Sequence, residues 1–436
     1  MNSQLYNELK HFADDLGLPI CDSIQFKRLT DTYGKEEFRE TLSEYIAKEK
    51  PKFPLRSIPY EKMRETFFDL QKFDTSKILT PQEQNESPVF EKYDDYKYSY
   101  DKYGLGLIEG SAQFNDASNY FHQDIRLDCG TWQLKSPRQT WEQGTPKDIW
   151  RTLGGLWRGI NSSADLSPNS YIEVIRLGTY IATQFKPVVA KAIYEMTEAK
   201  TVLDTSCGWG DRLCGFYTSS AKTYVGCDPN PNTFVRYKNQ VIEYERILGN
   251  DKPDIIRDSD KVFISHGIKN VMIFRTGAEN IPYDKIPDID CAFTSPPYFS
   301  TEKYNAGGEH EEDQSWSKFN EYAKWRDDFY LPVAKHSFES LGPTGHLFVN
   351  IMDPTVKGKR FKSCDELVDS LKTYYQGQIG MRIMQRPKSD KLFESEEAKQ
   401  EFMNRIFIEN VWCFAKKVNT QRLDYFRHAR KATLPI

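Results

Sequence analysis

The sequence predicts an α/β chain: a seven-stranded, mostly parallel sheet flanked by helices, preceded by a mainly helical N-terminal module. Three observations carry this. Short apolar runs recur at 200–204, 223–228, 271–275, 289–294, 345–352, 381–385 and 407–415. Stretches with helical spacing separate them, notably 319–340 and 364–376. Strands alternating with helices build parallel crossover units. Residues 1 to about 80 instead hold apolar residues at helical intervals and read as short helices.

Taken in order, Leu5, Leu9, Phe12 and Leu16 predict one helix face, and Phe38, Leu42, Tyr45 and Ile46 another. Pro51, Pro54 and Pro59 break the chain before a helix at 60–73. Residues 80–92 are polar and read as a linker. Tyr96, Tyr98 and Tyr100 alternate with polar residues, which fits a strand or an irregular tyrosine-rich surface. Residues 121–161 interleave Trp132, Trp141, Trp150 and Trp157 with Arg126, Lys135, Arg138, Lys147, Arg151 and Arg158. That pattern suits a platform for unstacked bases; the competing reading is that Trp150 and Trp157, on one helix face, are core. A helix at 171–196 then leads into the sheet. The expected division is 1–165 as an accessory module for target recognition, 166–420 as the sheet domain and 421–436 as a basic tail.

Composition excludes several classes. With 59 Lys+Arg against 63 Asp+Glu the net charge is -4, so this is no histone-like polycation. No apolar run approaches the ~18 residues of a membrane span, and the N-terminus lacks a signal-peptide pattern. The 8 cysteines form no CxxC pair, which predicts reduced thiols and a cytoplasmic setting. The histidines show no HxH or HExxH spacing, so no metal is expected.

Two segments carry chemistry. In Thr201-Val-Leu-Asp-Thr-Ser-Cys-Gly-Trp-Gly-Asp a strand runs into a glycine turn and a helix. Gly208 and Gly210 allow a tight turn and close approach of a ligand, and Asp204 stands at the strand end, where open sheets bind ligands. Asp228 ends the next strand and is placed to take both ribose hydroxyls of a nucleoside cofactor. A dinucleotide fingerprint would need a third glycine where Leu213 stands.

The second segment, Thr294-Ser-Pro-Pro-Tyr298, ends a buried strand at two prolines. Prolines lack the N–H that continues a ladder, and they fix the direction of Ser295 and of the Pro296 carbonyl. An amine conjugated to a ring is a poor nucleophile. Two acceptors gripping its hydrogens aim its lone pair at a methyl group, while the flat ring of Tyr298 holds the plane.

The Asp204–Gly210 loop, Asp228 and Ser295-Pro-Pro-Tyr298 together resemble the S-adenosylmethionine-dependent amino methyltransferases of DNA. Their hallmarks are a D-x-F-x-G-x-G loop and a (D/N/S)-P-P-(Y/F) tetrapeptide. The resemblance covers about 170–417. It implies a Rossmann-like methyltransferase sheet, S-adenosylmethionine as cofactor, DNA with a flipped base as partner, and Ser295, Pro296, Pro297 and Tyr298 as catalytic residues. It further implies Phe185, Asp204, Ser206, Gly208, Gly210, Asp228 and Glu279 as cofactor-binding residues. Phe185 precedes Pro187 in the segment that closes over the methionine end. Glu279 follows the third strand, where the adenine is met, displaced by one residue from the usual acid. Ser206 replaces the family's phenylalanine. The Ser form of the tetrapeptide resembles the cytosine N4 enzymes. Adenine N6, an RNA or protein amide, and an inactive nucleic-acid-binding relative are the alternatives. No cysteine follows a proline, which excludes the cytosine C5 nucleophile.

Further expectations are structural. Residues 301–316 form a lid or a solvated loop. Arg422, Arg427, Arg430 and Lys431 of the tail, with 382–391, track a nucleic-acid backbone or are merely solvated. Trp132 or Trp141 extends the stacking surface. Oligomeric state is left open.

Overall fold

The structure is a computed structural model that describes residues 2–81, 89, 90, 93, 95–98, 105–383 and 393–417. The described chain forms two compact units that interleave in sequence: 1–59 with 123–183 and 302–306, and 60–122 with 184–301 and 307–436. The linker at 80–92 and Tyr100 lie largely or wholly outside the described residues, as do most of 382–391 and the basic tail.

The first unit is helical. Asn2 caps Ser3–His11 by accepting from the amides of Gln4 and Leu5. Asp22 and Gln25 form a reciprocal capping box on Ser23–Tyr33. Ser136 does the same for Pro137–Gln143, Thr145 for Pro146–Leu153 and Ser167 for Pro168–Ile175, each with proline in the first turn where its missing N–H costs nothing. Leu5, Leu9, Phe38, Leu42, Ile46, Trp141 and Tyr171 pack into one core. Leu16 departs from the expected helix face: the helix ends at His11, and Leu16 is exposed in the following turn. The expected helix at 171–196 is also divided, into Pro168–Ile175 and Pro187–Met196. Proline cannot occupy a helix interior without losing a hydrogen bond, so Pro187 starts a new helix.

The second unit is built on a sheet of 12 strands. In chain order they are β1 (Leu79–Pro81), β2 (Val89–Phe90), β3 (Leu105–Ile108), β4 (Thr201–Asp204), β5 (Thr223–Cys227), β6 (Asp254–Asp258), β7 (Val262–His266), β8 (Asn270–Phe274), β9 (Ile289–Thr294), β10 (Leu341–Asn350), β11 (Tyr375–Arg382) and β12 (Ile406–Ala415). The spatial order is β1-β3-β11-β12-β10-β9-β4-β5-β8-β7-β6, with β2 beside β12. The centre, β10-β9-β4-β5-β8, is parallel. β12 and β11 continue it antiparallel on one side, β7 and β6 on the other. Six of the seven predicted strands are present in place; the one expected at 381–385 runs instead over Tyr375–Arg382, with 384 and 385 outside the described residues, and five more strands extend the sheet. β4 and β9, which carry the two chemical segments, are neighbours in register: Cys291 opposite Val202, Ala292 opposite Leu203.

Tyr96 and Tyr98 lie in irregular chain packed on the sheet core rather than in a strand. The region 319–340 is not one helix. A π-helical turn, Trp325–Tyr330, precedes Leu331–Glu339. Pro332 lacks an N–H to donate backward, and a widened turn accommodates the lost bond. Among the described residues, no helix is long and apolar enough to cross a membrane.

Candidate functional site

The site is assembled at the C-terminal ends of β4, β5, β8 and β9, where a parallel sheet presents its loops. After β4 the chain turns through Gly208 and Gly210, both left-handed (φ 58 and 70). Gly210 is closed in. A Cβ there would lie 2.2 Å from Gln240 Oε1 and 2.7 Å from His122 Nε2. Gly208 is open: the nearest atom to its Cβ would be 3.7 Å away. The loop thus has one glycine facing packed side chains and one facing space a ligand can fill.

Asp204 is fully buried behind the loop. Its carboxylate accepts from Arg212 Nε (2.9 Å), the Tyr224 hydroxyl (2.7 Å) and the Ser206 amide (3.2 Å). Arg212 also donates to the Ser206 carbonyl, and its guanidinium lies 5.2 Å from the Phe185 ring centre. Phe185 packs edge-on against Phe293 of β9. Asp204 therefore shapes the loop from inside.

Asp228 stands at the end of β5. It accepts from the Asn230 amide (2.9 Å), Thr233 Oγ1 (3.1 Å) and the Tyr237 hydroxyl (3.1 Å). Tyr237 donates to the Gly208 carbonyl as well, so one phenol holds the glycine loop and the acid together. Burial pushes the Asp228 carboxyl up to about 6 against these hydrogen bonds, which favour the charged form. Glu279 sits after β8 on a cleft of about 360 Å³ that Arg275, Thr276, Gly277 and Lys318 also line. Its Oε1 accepts from Lys318 (2.5 Å), while its Oε2 is buried with no hydrogen-bond partner among the described residues.

The tetrapeptide follows β9. Ser206 Oγ lies 2.6 Å from Thr294 Oγ1 and donates to the Ser295 carbonyl (2.8 Å). Thr205 reaches the same threonine at 3.0 Å. The Pro297 carbonyl accepts from Trp325 Nε1 (3.2 Å). The Tyr298 hydroxyl donates to Glu409 Oε1 on β12 at 2.8 Å, which fixes the ring's far end. Burial raises that phenol well above its ordinary value, so it remains a donor. Pro296 is buried, while Ser295 and Tyr298 are partly accessible.

The structure thus brings Ser206, Gly208, Asp228 and Ser295 into one bonded assembly and places Phe185 beside it. Glu279 stands at the neighbouring strand end. Trp141 is a core residue, 1% exposed, with its Nε1 donating to the Pro51 carbonyl at 2.8 Å. Trp157 packs on Phe26 and Phe38. Arg212, Tyr237, Gln240 and Glu409 had not been singled out. Glu409 had a visible signal: Glu409-Asn410 interrupts an otherwise apolar strand. All eight cysteines are buried and free. His310, Glu312 and Asp313 cluster within 4.8 Å, but all three are exposed.

Residues 289–433 match the model of a DNA methylase family, the N6/N4 methyltransferases. The match begins at β9 and takes in Ser295-Pro-Pro-Tyr298. The family is one of S-adenosylmethionine-dependent amino methyltransferases. No curated protein matches the chain. Among solved structures it is similar to TrmN from Thermus thermophilus, at 12% identity over 53% of this chain and 49% of that one, TM-score 0.29. It is also similar to Trm1 from Pyrococcus horikoshii in complex with S-adenosyl-L-methionine, at 13% identity over 56% and 58%, TM-score 0.31. A third is an rRNA methylase from Streptococcus thermophilus, at 13% identity over 54% and 100%, TM-score 0.30. The chain spans about half the length of the first two.

Proposed function

We propose that the chain transfers a methyl group from S-adenosylmethionine to the exocyclic amino group of a DNA base, cytosine N4, with the base turned out of the duplex. The observation that carries this reading is the Ser206 hydroxyl. It bonds both Thr294 and the Ser295 carbonyl, so the loop for the methyl donor and the turn for the amine move as one piece. Methyl transfer requires reacting atoms about 3–3.5 Å apart, and such a tie holds that geometry.

The residues fit the cofactor. Open space at Gly208 admits a close ligand, Asp228 accepts from ribose hydroxyls, and the unpartnered Glu279 Oε2 suits the adenine amino group. Asp204 acts through Arg212 by holding the loop's shape. When bound, S-adenosylmethionine supplies an electrophilic methyl group. On the acceptor side, Ser295 Oγ and the Pro296 carbonyl receive the amine's hydrogens. The carbonyls on either side are engaged by Ser206 and Trp325. Tyr298, held by Glu409, stacks on the flipped base. The amine nitrogen gains a bond to carbon as the donor's sulfur–carbon bond breaks, and a proton leaves to solvent. A neutral serine in place of a carboxylate favours cytosine N4 over adenine N6. Purified chain given tritiated S-adenosylmethionine with duplex DNA, RNA and protein separately is expected to label the DNA bases; label in RNA or protein with none in DNA overturns the reading.

A further inference from the structure

Outside the site, one feature of the helical unit has the chemistry of a nucleic-acid contact. Trp132 and Leu134 are 52% and 51% exposed at the apex of one turn, with Gln133 and Lys135 exposed beside them. Large apolar side chains left in water singly are ordinary, but two on a single apex form a patch.

The turn is built rather than loose. The Thr131 amide donates to the Leu134 carbonyl at 2.9 Å. Thr131 Oγ1 accepts from the amides of Leu134 (2.9 Å) and Gln133 (3.2 Å). The Lys135 carbonyl accepts from the Tyr180 amide at 3.1 Å. Gly130 and Thr131 pair antiparallel with Lys303 and Glu302. Glu302 is held inward by the hydroxyls of Tyr180 and Tyr304, and burial raises its carboxyl above the ordinary value. Lys303 places its ammonium 4.0 Å over the Trp132 ring. In the chain, this paired segment begins four positions after Tyr298.

We infer that the Trp132–Leu134 turn, with Lys303 and Lys135, is a DNA-contact surface: the indole and leucine meet bases and the two ammonium groups meet phosphates. The inference rests on the reading of the chain as a DNA-modifying enzyme. Lysine is depleted at the cores of protein–protein interfaces, whereas an aromatic ring beside cations is the usual arrangement for stacking a base next to its phosphate. Apolar wedges on turns also enter base steps and unstack them, which helps a base to leave the duplex.

The test is anisotropy of labelled mixed-sequence duplex DNA with the full chain. Trp132→Ala is expected to weaken binding about tenfold, and Trp132→Phe to restore most of it. Lys303→Ala is expected to lower the salt slope of binding by about one. Melting temperature and S-adenosylmethionine affinity should stay unchanged in all three, since these side chains are at the surface of the other unit. Unchanged DNA affinity and slope, with a wild type that still methylates DNA, overturns this inference alone. A Trp132-dependent affinity for RNA with none for DNA overturns it as well. A wild type that neither binds nor methylates DNA overturns the functional reading beneath it.

Discussion

The two loop glycines share a left-handed backbone but differ in what a methyl group would meet, and this gives a paired prediction. In Gly210→Ala the new Cβ would stand 2.2 Å from Gln240 Oε1 and 2.7 Å from His122 Nε2. Neither atom can retreat easily. Gln240 is fully buried and donates to the Gly210 carbonyl (2.9 Å) and to Tyr244 (3.1 Å), while its Oε1 pairs with His122. The left-handed penalty of about 1–2 kcal/mol then adds to an overpacking cost of about 1–3 kcal/mol, for a loss of about 2–5 kcal/mol. Gly208→Ala carries only the backbone penalty of about 1–2 kcal/mol, because its Cβ would meet nothing nearer than 3.7 Å. The order reverses for ligand binding: the Gly208 methyl projects into the space assigned to the cofactor, so affinity falls by about tenfold or more. Urea denaturation reads the first effect and calorimetric titration with S-adenosylmethionine the second. Equal stability losses, or full cofactor affinity in Gly208→Ala, would refute the reasoning.

Three further outcomes follow from the same geometry. Because burial lifts Asp228 to about 6 while ribose hydroxyls bind its carboxylate, cofactor affinity should be level above pH 6 and fall about tenfold per unit below it. The folded state holds that proton between the ordinary value of 3.8 and about 6, so this group's contribution to apo stability is full below pH 4 and lost as pH rises through 6. Asp228→Asn should flatten both profiles. Arg212→Met leaves the Asp204 carboxylate buried without its cation and is expected to cost about 3–5 kcal/mol by thermal or urea unfolding; a loss under about 1 kcal/mol would show that the pair does not hold the loop. Ser206→Ala removes two neutral hydrogen bonds, worth about 1–3 kcal/mol together, and should lower kcat with little change in cofactor affinity. An effect confined to affinity would count against Ser206 as the tie between loop and turn.

The strands that carry the chemistry were legible because β4, β5 and β9 are mostly buried apolar runs that end at an acid or at proline, and such runs announce themselves locally; β8 is apolar but buried only at alternate residues. β6 was not, since Asp254–Asp258 is exposed along its length and lacks the burial signature. β3 was not, because its parallel partner is β11, far along the chain, and pairing at that separation leaves no local pattern. The interleaving of the two units was hidden for the same reason: 60–122 returns to the sheet unit between two segments of the helical one. At the site, the glycines, Asp228 and the tetrapeptide were legible as motifs. Tyr237 was not, because a tyrosine on a helix reads as core until its hydroxyl is seen between Gly208 and Asp228. Trp141 shows the opposite error, an aromatic residue among basic ones that packs inward, whereas Trp157 packs on the core as the shared helix face suggested.

The central claim, amino methylation of a DNA base by the Ser295-Pro-Pro-Tyr298 turn, is tested most directly by mass analysis of nucleosides. DNA treated with the purified chain and S-adenosylmethionine would be digested and compared with DNA treated with Ser295→Ala. The account predicts N4-methylcytosine from the wild type and a large loss of it from the variant, with cofactor affinity retained. N6-methyladenine alone would contradict the assignment of the base, and no methylated base in either sample would contradict the claim itself.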